Sequence, residues 1–112
     1  MTYNFGDVVL VHFPFSSNID TKKRPAVVIS NLNFNNKKED IVLLAITSKV
    51  GNLTVGESLL KNWKEAGLVK SSAFKSVIFT VEKQYVDKTI GKLIKIDREI
   101  LLDCLKQILE IP

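Results

Sequence analysis

The spacing of apolar residues changes repeatedly along this chain, and each change marks an element. Asp7 to Phe13, "DVVLVHF", sets β-branched residues and an aromatic behind the turn signal Gly6-Asp7, which predicts a first strand. "SSNIDTKKR" is polar and turn-rich, as a loop should be. "PAVVIS" then restarts a strand in which Pro25 fits as the first residue, because proline has no N–H to give to a ladder. The two strands predict a hairpin with a long loop. "NLNFNNKKED" reads as loop again, and "IVLLAIT", Ile41 to Thr47, is an apolar run of strand length that predicts burial on both faces. Beyond it, Val55 to Leu60 fits a strand, "KNWKEAG" a short helical turn stopped by Gly67, Ser76 to Glu82 another strand, and "KTIGKLI" a turn at Gly91.

The period then changes for good. In "DREILLDCLKQILEI" the apolar positions 100, 101, 104, 105, 108 and 109 follow the spacing of one helix face, with Asp97 placed to cap the N-terminus. Short strands followed by one terminal amphipathic helix predict a mainly β fold, a small, strongly curved sheet or barrel with a helix packed against it. No repeat, low-complexity tract or linker interrupts the pattern, so residues 1–112 read as a single domain.

Composition narrows the function classes. A chain of 112 residues with 46% hydrophobic and 25% charged residues can build its own core. The single cysteine, Cys104, excludes an internal disulfide and a cysteine-rich zinc site, and fits a reducing cytoplasm. Neither a signal-peptide pattern nor an apolar run of membrane-spanning length is present, so the expectation is a soluble cytoplasmic protein with no membrane partner. The net charge is +4, although residues 96–112 hold two basic and four acidic side chains, so the basic surplus lies upstream of the tail. Such a surplus is compatible with a polyanionic partner.

Most familiar catalytic equipment is missing: there is no Walker-type loop, no G-x-S-x-G, no HExxH and no Cys or His cluster, so no metal or cofactor is expected. His12 is the only histidine, which excludes a two-histidine ribonuclease mechanism within one chain. Short charge runs such as Lys22-Lys23-Arg24 are commonly solvated loops. Arg24 differs because Pro25 stiffens the backbone after it and the following strand anchors it, and a guanidinium held in place matches the oxygens of a phosphodiester. Thr47-Ser48-Lys49, two hydroxyls and a cation at a strand end, are either turn chemistry or the second half of a phosphate site.

The strings "GDVVLVHFPF", "KKRPAVVIS", "LLAITSK", "NWKEAGL" and "TIGKL", in this order and spacing, resemble the MazF/PemK family of toxin endoribonucleases from bacterial type II toxin–antitoxin systems. The likeness covers nearly the whole chain, and its most specific part is the pair "RPAVVIS" and "AITS". It implies an SH3-like barrel with helices, a homodimer, metal-independent and sequence-specific cleavage of single-stranded RNA (mRNA), and a cognate antitoxin that occupies the RNA groove. Arg24 falls on the family's catalytic arginine and Thr47 on its catalytic threonine. Two positions depart from the pattern: His12 stands where the family often has an acidic residue, and "VIFTVEK" replaces a Gln-x-Arg-like stretch.

The implied reaction is attack of a ribose 2′-OH on the adjacent phosphate, with Arg24 and Thr47 stabilising the charge that builds on phosphorus-bound oxygens. A guanidinium is a poor general base near neutrality, which leaves His12 and water as alternates for that role. Substrate contacts are expected from the neighbouring Lys22, Lys23, Ser48 and Lys49, and from Phe15, whose ring could stack on a base or lie in the core. Trp63 reads first as core or dimer packing. Two other functions share the general architecture: a CcdB-like gyrase poison, and a non-catalytic SH3-like module that binds nucleic acid or protein.

Overall fold

The computed structural model describes residues 2–12 and 22–112. Its elements are β1 (Asp7–His12), β2 (Lys23–Val28), α1 (Leu32–Lys37), β3 (Asp40–Thr47), β4 (Ser58–Leu59), β5 (Ala73–Glu82), a 3-10 turn (Lys83–Tyr85), β6 (Val86–Lys92) and α2 (Lys95–Ile108). The strands form one antiparallel sheet in the order β4-β5-β3-β2-β1-β6. The expected mainly β fold with a terminal amphipathic helix is present, and the sheet is barrel-like but open.

Both faces of the central strands are buried, and strand alternation divides their side chains between two cores. Val8, Val27, Leu44, Ile46 and Phe74 face one core, together with Leu101, Cys104 and Leu105 of α2. Val9, Val11, Ala26, Val28, Ile41 and Leu43 face the other, with Tyr3 and Val81. This is why "IVLLAIT" is apolar without alternation. The helix periodicity also holds: Leu101, Cys104 and Leu105 are buried and Ile100 and Ile108 pack at the margin, whereas Leu109, just past the last turn, is largely exposed. Burial raises the Cys104 thiol above the ordinary range, so the one cysteine is a core residue.

Several local expectations are corrected. Pro25 is not the first residue of its strand; β2 begins at Lys23, and the proline sits opposite Leu10, ahead of the β3 ladder that starts at Ala26 and Ala45. A proline is tolerated there because at Pro25 the strand is paired with β1 but not yet with β3. "NLNFNNKKED" is not all loop. Asn31 caps α1 by accepting from the Phe34 amide at 3.0 Å, and the buried Asn35 amide donates to the Tyr3 carbonyl at 2.9 Å and the Ser30 carbonyl at 3.0 Å. The predicted strand over 55–60 shrinks to Ser58–Leu59, and β5 starts at Ala73 rather than Ser76.

Gly91 makes no turn. It lies inside β6, and its register with β1 shifts there: Val8 faces Gly91 but Val9 faces Thr89, so Ile90 is bulged out. A Cβ on Gly91 would stand 2.4 Å from the Ala66 carbonyl oxygen, so the missing side chain admits the 66–67 backbone. "KNWKEAG" is the expected turn, closed by hydrogen bonds from the amides of Ala66, Gly67 and Leu68 to the carbonyls of Asn62, Lys64 and Trp63. Trp63 packs at the edge of the α2 core, with Lys64 Nζ 5.4 Å from its ring centroid.

Asp97 does not cap its own helix, whose N-cap is Ile94. Fully buried in the first turn of α2, it accepts from the amides of Lys61 (2.8 Å) and Asn62 (2.9 Å) and so ties the helix to the start of the 61–67 turn. Asp97→Ala leaves two amides without their acceptor and opens a void. We expect it to cost about 2–3 kcal/mol, read as a lower midpoint in urea unfolding. Among the described residues no helix is long and apolar enough to cross a membrane.

Candidate nucleic-acid cleavage site

The β2–β3 ladder brings the two most specific strings of the sequence together. Ala26 faces Ala45, Val27 faces Leu44 and Val28 faces Leu43. The ladder ends at Ala26 and Ala45, and Arg24 and Thr47 lie two residues beyond it on their respective strands. Alternation puts both on the face that carries Ala26, Val28, Ile41 and Leu43, so their side chains emerge from the sheet in the same direction. On the other side of β2, Arg24 is paired with Val11 of β1.

Arg24 and Thr47 line one cleft of ≈350 Å³, together with Pro25, Ile46, Ser48, Lys49, Leu68, Val69, Lys70 and Ser72. Among the described residues, its charged groups are Arg24, Lys49 and Lys70, and no carboxylate lines it. Thr47 Oγ1 accepts from the Lys49 amide at 3.1 Å, which folds the strand end into a turn and leaves the hydroxyl hydrogen to donate. Three cations and three hydroxyls around an apolar floor suit an anion whose oxygens need donors and whose remaining surface is not strongly hydrated.

A larger depression of ≈690 Å³ lies between β4 and α2, lined by Ser58, Leu59, Leu60, Lys61, Ile96, Glu99, Ile100 and Asp103. Two carboxylates against one lysine make it a poor host for a polyanion, whatever its size. Electrostatics therefore selects the smaller cleft. Among the described residues no group of three or more His, Cys, Asp or Glu side chains is placed to hold a metal ion.

Of the residues singled out in the sequence, Arg24, Thr47, Ser48 and Lys49 meet in the cleft. His12, Lys22 and Lys23 do not line it. Lys23 and His12 face each other across β1 and β2, one position out of phase with Arg24, and both turn to Asp87 on β6. Lys23 Nζ lies 3.3 Å from Asp87 Oδ2, and His12 Nε2 3.7 Å from Asp87 Oδ1. A hydrogen bond from Lys23, followed by its charge and those of His12 and Lys88, holds the Asp87 carboxyl below its ordinary value. Asp87 can reach them because it is the second bulged residue of β6, skipped between Lys88 opposite Leu10 and Val86 opposite Val11. Phe15 lies outside the described residues. Sequence reading missed Leu68, Val69, Lys70 and Ser72, whose only local mark is Gly67, the left-handed stop just before them.

The sequence profile described as PemK-like, MazF-like toxin of type II toxin–antitoxin system matches residues 4–109. The chain belongs to that family. Solved structures with the same fold as this PemK/MazF-like chain include an endoribonuclease in complex with its cognate antitoxin from Mycobacterial species, with a TM-score of 0.74 and 15% identity over 97% of this chain and 96% of that one. The Mycobacterium tuberculosis toxin MazF-mt6 superposes with a TM-score of 0.70 at 17% identity, covering 88% of this chain and 91% of the other. MazE-MazF from Deinococcus radiodurans gives 0.74 at 14% identity, with coverage of 96% and 94%. A comparison with curated proteins returns no match.

Proposed function

We propose that this PemK/MazF-like toxin is an endoribonuclease that cuts single-stranded RNA without a metal ion, at a short recurring sequence. The observation that carries the reading is a cleft lined by both Arg24 and Thr47, with Lys49 and Lys70 beside them and no carboxylate among the described lining residues. Family membership supports it, as does the shared fold with a solved endoribonuclease.

In the proposed reaction the 2′-oxygen of a ribose forms a bond to the adjacent phosphorus and gives its proton to water. The bond from phosphorus to the 5′-oxygen breaks, and that oxygen takes a proton from water. The products are a 2′,3′-cyclic phosphate and a 5′-hydroxyl. Negative charge grows on the non-bridging oxygens along the way. Arg24 donates two hydrogen bonds to them and Thr47 one, from the cleft that both side chains line. His12 takes no part in this scheme, because it lies out of phase with Arg24 and against Asp87.

The same cleft is the natural target of an inhibitor, and one structural neighbour was solved with its cognate antitoxin. We extend that to this chain: a cognate antitoxin covers the cationic cleft, the toxin acts as a homodimer, and its substrate is mRNA in the cytoplasm.

Incubating purified protein with a long RNA in EDTA tests the reading. Wild type should cut at a recurring motif, and Thr47→Ala should lose about a hundredfold in rate. RNA left intact by wild type would favour a gyrase poison or a non-catalytic module.

A further inference from the structure

The wall of the cleft that no sequence signal marked is tied down at both ends. At its start, the Leu68 amide donates to the Trp63 carbonyl at 3.1 Å, and the Leu68 side chain is buried in the α2 core. At its far end, the buried Ser72 donates from its hydroxyl to the Lys70 carbonyl at 2.9 Å and accepts the Leu60 amide at 2.9 Å. Between these anchors Val69 is 88% exposed and Lys70 is exposed, yet both line the cleft of Arg24 and Thr47. A backbone so restrained places both residues at the cleft with little further loss of backbone entropy on binding.

We infer that Val69 and Lys70 form a second contact for the RNA: Lys70 holds a phosphate neighbouring the one gripped by Arg24 and Thr47, and Val69 packs against the face of a base. The inference rests on the endoribonuclease reading. A strand passing through a cleft of this size leaves its adjacent nucleotides on the rim, where these two side chains stand. Single strands are held by cations that track phosphates and by side chains that cover base faces, and this loop supplies one of each. An isopropyl group makes no hydrogen bond to a base edge, so the selectivity it adds is one of shape at a flanking position.

The test uses a randomised 2′-O-methyl RNA of about ten nucleotides, which spans the site and has no 2′-OH to attack. Binding is followed by fluorescence anisotropy across a salt series. Lys70→Ala should weaken binding about fivefold, the upper range for an exposed ion contact. It should also reduce the slope of log affinity against log salt by about 0.7, the share of one phosphate on a single strand. Lys70→Arg should restore both. Val69→Ser should keep the slope and change which bases flank the cuts in a long RNA. A Lys70→Ala variant with wild-type affinity and slope overturns the inference; if wild type still cuts RNA and Arg24→Ala does not, the endoribonuclease reading survives that result. Wild type that neither binds the pool nor cuts RNA overturns both.

Discussion

Replacing Arg24 with alanine should lower the rate of RNA cleavage about a hundredfold or more, because it removes a preorganised donor from the oxygens that gain charge in the transition state. The fold should survive. Arg24 is exposed at the end of β2, and the strand is anchored by Ala26, Val27 and Val28, all fully buried. Arg24→Lys is the sharper variant. It keeps the positive charge and loses the planar fork that meets two phosphate oxygens at once, so most of the activity should be lost with it. Single-turnover rates at saturating RNA, with thermal melts as the control for folding, separate the cases. Lysine supporting the wild-type rate would mean that charge alone matters at this position.

Gly67→Ala should be the most damaging small change to the fold. Gly67 has φ +83°, a conformation that costs an L-residue about 1–2 kcal/mol. The added Cβ would also stand 2.0 Å from the carbonyl oxygen of Ile90, a backbone atom in β6 that cannot swing away as a side chain would. The combined loss should be about 3 kcal/mol or more, which for a domain of this size lowers the melting temperature by more than about 10 °C. Gly67→Asn separates the two causes, since asparagine tolerates the left-handed region but carries the same Cβ. We expect it to be nearly as unstable as alanine. Near-complete rescue by asparagine would assign the effect to backbone conformation and not to the close approach of the 66–67 turn and β6.

What the residues disclosed about themselves depended on whether their partners were local. The α2 stripe and the double-sided burial of Ile41 to Thr47 were legible because periodicity and run length report directly on burial. Asp97 looked like a cap because it sits at the right offset from an apolar stripe, but its acceptors serve Lys61 and Asn62, far away in sequence. Gly91 looked like a turn for a similar reason: a missing side chain marks either a bend or a place where another backbone comes close, and only the fold decides. Helix α1 has a local mark in its Asn31 cap, but the bond from its buried Asn35 to the Tyr3 carbonyl is set only by the fold.

The candidate site divides in the same way. Arg24 and Thr47 carry a signal in the resemblance and at the strand ends, and both line one cleft. Lys22, Lys23 and Lys49 were grouped by proximity along the chain, yet alternation sends Lys23 to Asp87 and only Lys49 to the cleft. Val69 and Lys70 have no local mark beyond Gly67 just before them. They reach the site because the turn before them is pinned to β6 by two glycines.

The central claim is that Arg24 and Thr47 together hold one phosphodiester while its own ribose attacks it. Mass spectrometry of the fragments that the wild-type protein releases from RNA in EDTA tests this most directly. The account predicts 2′,3′-cyclic phosphate and 5′-hydroxyl ends, released about a hundredfold more slowly by Arg24→Ala and by Thr47→Ala. Fragments ending in 3′-hydroxyl and 5′-phosphate would contradict it, because water and not the 2′-oxygen would then be the nucleophile.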